Sequence, residues 1–214
     1  MMASLHYALR LLRTVRHLRP HQALGQMLRR LRQWRQVSSA PDGLQRRRHV
    51  YLMPVLPRDC GGEQWALTFL GVRKSLTPGN IDWRSTDQEK LWRYNLHYFD
   101  FLQESLRANS AALIDNWINA NPQGTADAWE PFPLSLRIVN WIKFFTAGTA
   151  LLPEAWLHSL ALQAAWLEHN LEYHLLANHL FKNAKALLFA GVFFQGTAAA
   201  RWLQTGQRLL LEQL

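Results

Sequence analysis

From about residue 87 to the last residue, apolar side chains recur every three to four positions. The period is that of helices with one buried face. Segments 88–108, 110–120, 133–148, 153–175, 178–195 and 197–214 each carry it, which predicts six helices. The breaks between them are chemically consistent. Asn121-Pro122-Gln123-Gly124 reads as a turn, and Gly196-Thr197 separates the last two segments. Pro131, Pro133 and Pro153 stand at helix entrances, where a missing N–H costs nothing. Helices with short links pack as antiparallel hairpins. The expected fold class is therefore all-α. The period by itself does not choose between an α/α toroid and other helical arrays, and no fixed-length repeat is visible.

The first part of the chain reads differently. Residues 4–36 predict one or two amphipathic helices broken near Pro20, with Leu5, Leu9 and Leu12 on one stripe and Leu24, Met27, Leu28 and Leu31 on the next. Residues 37–63 are rich in breakers (Pro41-Asp42-Gly43, Pro54, Pro57, Gly61-Gly62). Alternation over 64–72 predicts at most one short strand, and Thr77-Pro78-Gly79-Asn80 a turn. The expected organisation is a basic leader and linker over 1–63 and a helical domain over 64–214.

Charge sharpens that division. Of 24 Lys+Arg, eleven lie within residues 1–50, where Asp42 is the lone acid, and the rest of the chain is close to neutral. A basic leader suits an anionic polysaccharide, a membrane surface or nucleic acid, or is simply a solvated face. Arg10, Arg13 and Arg16 interrupt the only candidate apolar run, so neither a signal peptide nor a membrane span is expected. The single cysteine, Cys60, excludes an internal disulfide and a multi-cysteine metal site. No Gly-x-Ser-x-Gly elbow, phosphate-binding glycine loop or nucleic-acid motif occurs. His169, His174 and His179 are spaced five apart, which does not stack ligands on one helical face, so no metal site is expected. No cofactor is expected either.

Candidate chemistry gathers in blocks that mix aromatic and polar residues. The first holds Tyr94, Asn95 and His97, with Trp92, Leu96 and Phe99 as expected core. The second holds Trp129, Glu130, Arg137 and Asn140. The third and fourth run from Leu171-Glu172-Tyr173-His174 into Asn178-His179. Arg137 and Asn140 are three residues apart on one helix, so they can act together. Arg137 either grips a carboxylate with both arms of its fork or pairs with Glu130 inside the fold. An indole at Trp129 either stacks on a sugar or packs the core. Asn178 follows a helix break, where asparagine is a favoured N-cap, yet a helix start also suits a bound carboxylate. With Lys182 and Lys185 it forms a stripe at i, i+4 and i+7, which either attracts anions or is solvated. His179 is either a base or a structural histidine, and His174 is expected to be buried.

The runs YNLHYFDFL, WEPFPLSLRIVNWIKFF and LEYHLLANHLFKNAKALLFAG, in that order, are similar to the N-terminal helical domain of the heparinase II/III polysaccharide lyase family over roughly residues 65–214. The resemblance implies an incomplete α/α toroid forming one wall of a cleft, and β-elimination on uronic-acid-containing glycans of heparin-like or bacterial exopolysaccharide type. It places Asn178 at the position that neutralises the uronate carboxylate, with His179 beside it as a second catalytic residue. Tyr94, Asn95, His97, Trp129, Glu130, Arg137 and Asn140 become candidate substrate contacts. The family's tyrosine, its further histidine and a C-terminal β-sandwich would follow Leu214. The partner so implied is an acidic polysaccharide, in a bacterial periplasm or cytoplasm, and the alternative is a non-catalytic carbohydrate-binding remnant. Residues 1–36 leave a peripheral membrane contact open. Paired-carboxylate hydrolysis by Glu130 and Glu172 is a further option, although nothing in the sequence brings those two together.

Overall fold

The computed structural model describes residues 34–48, 50, 65–103, 109–147, 151–173, 175 and 178–212. Of the amphipathic helices expected over 4–36, residues 4–33 lie outside these residues, as do Cys60 and His174, and residues 34–36 are not helical. Among the described residues there are six α-helices: α1 (Lys90–Tyr98), α2 (Ser110–Ala120), α3 (Pro131–Ala147), α4 (Glu154–His169), α5 (Asn178–Phe193) and α6 (Thr197–Leu211). The four strands are short: β1 (Gln45–Arg46), β2 (Ala66–Phe69), β3 (Val72–Ser75) and β4 (Phe194–Gln195). The chain is thus mainly helical, as its periodicity predicts.

The expectation of at most one strand is corrected. Residues 66–75 form an antiparallel hairpin with Phe69 opposite Val72. Leu70 (φ 54°) and Gly71 (φ 78°) close it. Positive φ at both central positions is what a two-residue hairpin with right-twisted strands requires. Alternation over one stretch could not reveal that the chain reverses in the middle of it. A second pair, β1 with β4, places Gln45 opposite Gln195.

The first helix is also shorter than its 88–108 pattern suggests. It stops at Phe99, which adopts the left-handed conformation (φ 61°), and a 3-10 turn follows over Asp100–Gln103. The reversal is offset by burial. Phe99 is fully enclosed, stacked 5.5 Å from Trp83 and edge-on at 5.5 Å to Trp141. Likewise α4 ends at His169 rather than near 175, and Leu171 and Glu172 turn inward instead.

Helices α1, α3 and α5 lie side by side, and α2, α4 and α6 form a second layer behind them. Contacts between α3 and α5 join Ser135 to Asn183 near their starts and Phe145 to Phe193 near their ends, so the two run parallel. The pair α5 and α6 packs closest, because each contributes a glycine to the seam. A Cβ at Gly191 would sit 2.6 Å from Leu203 N, and one at Gly206 would sit 2.8 Å from Ala184 O.

Tryptophan fills the centre. Trp92, Trp117, Trp141, Trp166 and Trp202 are essentially inaccessible. Trp92, Leu96 and Phe99 are core, as their pattern predicts.

Residues 34–48, inside the stretch assigned to a leader and linker, lie against this helical body. Two side-chain amides hold the backbone as a neighbouring strand would. Gln123 accepts from Val37 N (2.9 Å) and donates to Val37 O (2.8 Å). Asn170 does the same with Arg35, at 2.9 Å in each direction.

Candidate functional site

Three elements converge where α3 and α5 begin. The first is the loop before α3. Asn121-Pro122-Gln123-Gly124 turns as expected, with Gly124 at φ 88° and Thr125 N bonded to Pro122 O at 3.1 Å. Trp129 then anchors the loop by donating its indole N–H to Asn121 O at 3.0 Å. That anchor leaves Glu130 half-buried at the mouth of α3, where it accepts from Lys90 Nζ at 2.9 Å and from the Tyr94 hydroxyl. Beside it, Arg93 Nε reaches Asp127 at 2.6 Å. Burial first, and the hydrogen bond to Glu130 second, push the Tyr94 hydroxyl well above its ordinary range. Asp127 and Glu172 add to the push, so Tyr94 stands within electrostatic reach of all three acids.

The second element is the turn after α4. Glu172 is 7% exposed, a costly place for a carboxylate unless its oxygens are used. Its backbone N–H donates to Asn183 Oδ1 at 2.9 Å, and Asn183 Nδ2 returns toward Glu172 Oε2 at 3.4 Å. Asn183, itself 0% exposed, also donates to Ser135 Oγ at 3.0 Å. One amide thus ties the turn after α4 to the first turn of α3.

The third element is the start of α5. His179 Nδ1 lies 3.2 Å from Glu172 Oε2. A carboxylate only accepts, so the hydrogen of this contact belongs on Nδ1, and in the tautomer so fixed Nε2 is the acceptor nitrogen. The imidazole is 36% exposed and rests 4.3 Å from the Phe132 ring. Next to it, Asn178 is the first residue of α5 and is exposed. Its side chain makes no hydrogen bond among the described residues, while the Leu180 N–H in the same turn is bonded to Leu175 O at 3.2 Å. Carboxylates held in ion pairs, an imidazole oriented by one of them, and an amide at a helix start together suit an anionic or hydroxyl-bearing ligand and proton transfer from it.

The structure gathers Tyr94, Glu130, Asn178 and His179 in this region. Asn95 is half-buried, and its amide donates to Leu91 O at 2.8 Å within its own helix. The other candidates are corrected. His97 is 1% exposed, accepts from Trp117 Nε1 at 3.1 Å, and has its pKa pushed down to about 3, by burial first and then by Arg137. Trp129 is 4% exposed and offers no face to a sugar. Asn140 is 6% exposed and donates to Tyr98 O at 2.9 Å.

Arg137 neither faces a cleft nor pairs with Glu130. It is fully enclosed, bonded to Gln163 Oε1 at 2.8 Å and His97 O at 3.3 Å, and lies 3.9 Å from the centre of the Trp117 ring. These four are core residues because the inner face of α3 meets α1 and the Trp117 cluster. A spacing of three residues shows a shared face, not which neighbour covers it.

Sequence reasoning passed over Asn183, Ser135, Phe132, Arg93 and Asp127. All but Arg93 and Asp127 lie in the motif runs quoted above. Asp127 (φ 61°) carried no signal beyond its loop. A pocket of about 440 Å³ is lined by Arg84, Thr86, Thr125, Ala126 and the paired Arg93 and Asp127.

No family model matches the chain, and neither a curated protein nor a solved structure proves similar to it. Among the described residues no cluster of three or more His, Cys, Asp or Glu is placed to hold a metal ion, and no helix is long and apolar enough to cross a membrane.

Proposed function

We propose that this chain supplies the helical, glycan-binding wall of a polysaccharide lyase that acts on uronic-acid-containing polysaccharide by β-elimination, in the manner of the heparinase II/III family. The observation that carries the reading is His179. Its Nδ1 is occupied by the buried Glu172, its other nitrogen is open, and the uncapped Asn178 amide stands beside it at the start of α5. β-Elimination needs the uronate carboxylate neutralised so that the C5 proton becomes acidic, a base to take that proton, and an acid to protonate the departing glycosidic oxygen. In this reading the Asn178 amide receives the carboxylate at the positive end of α5, and His179 Nε2 takes the proton. The leaving-group acid belongs to a part of the lyase that the resemblance places after residue 214. The two helical layers are then part of an α/α toroid, and α1, α3 and α5 form its inner wall.

The test is calorimetric binding of acidic and neutral oligosaccharides, run beside an ultraviolet assay for the unsaturated uronate end. Uronate-bearing chains are expected to bind, with affinity reduced at least tenfold by Asn178→Ala, the low end for losing a hydrogen bond to a charged group. Equal binding of neutral chains, or undiminished binding by that variant, overturns the assignment. Glycan binding without elimination identifies a carbohydrate-binding module instead.

One observation favours a second reading. Glu130 and Glu172, which nothing in the sequence connected, both act on Tyr94. Two carboxylates at one mouth suit hydrolysis with one as acid and the other as base or nucleophile. Cleavage that releases reducing ends without an unsaturated product, and that Glu130→Gln and Glu172→Gln each abolish, would select it.

A further inference from the structure

Helices α3 and α5 present a basic face that the site above does not use. On α5 the residues left partly open run His179, Lys182, Lys185, Phe189 and Val192, one turn apart along the helix. On α3 they run Phe132, Leu136 and Lys143. The two rows begin together, since the Phe132 ring touches the His179 imidazole at 4.3 Å. The face is therefore continuous with the candidate site.

Its charge is one-sided. Lys143, Lys182 and Lys185 are all half-buried, and none is paired with a carboxylate among the described residues. The other acids of this region are already engaged, Glu130 with Lys90 and Tyr94, and Glu172 with His179 and Asn183. Lys185 lays its Nζ 5.5 Å from the Phe189 ring centre, which fixes its stem along the face. Burial first, then Lys143 and Lys182, lower the Lys185 pKa, so the Lys185 ammonium lies within electrostatic reach of the other two. Holding like charges together without a counter-charge destabilises the free protein, and a bound polyanion relieves it.

We propose that Lys143, Lys182 and Lys185 form an extended subsite that binds the acidic groups of a uronate or sulfated glycan chain beyond the sugar held at Asn178 and His179. From Asn178 to Lys185 the helix rises about 10 Å, which suits successive acidic groups on one extended chain rather than a single small anion. The exposed Phe181 ring borders the same row and offers an apolar surface to a sugar face. This inference rests on the glycan reading above. It adds where the rest of the chain lies and makes chain charge, not chain length, the determinant of affinity.

The experiment is isothermal titration of the full protein with a sulfated uronate octasaccharide made from heparin, a neutral dextran oligosaccharide of equal length and a single-stranded DNA oligonucleotide. The Lys143→Gln/Lys182→Gln/Lys185→Gln triple variant is expected to bind the acidic octasaccharide about tenfold or more weakly, from exposed-pair strengths compounded over three lysines. Its affinity should also depend less steeply on salt. The matching triple Lys→Arg variant should restore binding, which separates a charge effect from misfolding. Octasaccharide affinity unchanged in the Gln variant while Asn178→Ala reduces it overturns the subsite and leaves the glycan reading standing. DNA bound as tightly as the octasaccharide, or no preference for the acidic over the neutral chain, overturns both.

Discussion

Asn183 is the side chain on which the geometry of the site depends, and its removal has a calculable cost. The amide is fully enclosed, receives the Glu172 N–H at 2.9 Å and donates to Ser135 Oγ at 3.0 Å and toward Glu172 Oε2 at 3.4 Å. Asn183→Ala deletes two well-formed hydrogen bonds, each with a net contribution of about 1 kcal/mol. It also strands the buried Glu172 N–H, for which a further 1–3 kcal/mol or so is lost, because no water replaces the amide. The expected loss is therefore about 3–5 kcal/mol, a large part of the 5–15 kcal/mol or so typical of a domain.

Urea unfolding followed by tryptophan fluorescence measures this directly, since the buried indoles report the core. Asn183→Asp is the informative companion. It keeps the shape and the acceptor but places a second carboxylate against Glu172, so at neutral pH it should be destabilised at least as much. A midpoint for Asn183→Ala that corresponds to less than about 1 kcal/mol of destabilisation, with an unchanged denaturant slope, would refute the reasoning. The Glu172–His179 pair would then be held by something other than this amide.

Two further outcomes follow from the packing. Gly206→Ala places a methyl 2.8 Å from Ala184 O and 2.9 Å from Leu188 N, so the α5–α6 seam must open. The expected loss is about 1–3 kcal/mol by thermal unfolding, where an ordinary helical Gly→Ala change would stabilise. His97 supplies a pH signature. Its folded pKa is depressed from 6.5 to about 3, by burial and then by Arg137, so below pH 6.5 the unfolded chain takes up a proton that the native state refuses. Its contribution to stability is intact above 6.5 and is lost as pH falls toward 3, at a slope approaching about 1.4 kcal/mol per pH unit. His97→Gln, which keeps an acceptor for the Trp117 indole, should flatten the acid limb of a stability-versus-pH curve, and an unchanged limb would count against the buried neutral imidazole.

How much of this was legible beforehand differs by element. The six helices were readable because each carries a long apolar stripe, and their entrances because Pro131, Pro133 and Pro153 punctuate the chain. The early ends of α1 and α4 were not readable. At Phe99 and Leu171 the apolar period simply continues, and only tertiary burial decides that the chain leaves the helix there. At the candidate site, Asn178 and His179 were singled out by the family resemblance, and Glu130 by its place in a loop before a helix. Arg137, Asn140, His97 and Trp129 were misplaced for one shared reason. Polar and aromatic residues on an inner helix read alike whether they face ligand or line a core, and the difference lies in partners such as Gln163 and Trp117 that are distant in sequence. Asn183 was hidden by the same fact, because a buried amide inside a helical period gives no outward sign.

The location of the site follows from how the inner helices are oriented. Phe132 and Ser135 belong to the first turns of α3, and His179 and Asn183 to the first two turns of α5, and they touch one another. The starts of these parallel helices are therefore side by side. Each brings the positive end of its dipole to the same mouth, although Pro131 and Pro133 carry no N–H and Leu180 N is already bonded to Leu175 O at 3.2 Å. Carboxylates are favoured at that position, where Glu130 precedes α3 and Glu172 lies against α5. The same field favours their negative charge and, on the proposed reading, would favour a ligand carboxylate at Asn178. The acids orient Tyr94 and His179 but also repel an incoming anion, so an acidic chain needs compensating cations close by. Those cations are present one and two turns further along α5, at Lys182 and Lys185. Neither lysine forms an ion pair with Glu172 among the described residues, which leaves that carboxylate to His179, and on the proposed reading one extended polyanion would reach Asn178 and both lysines.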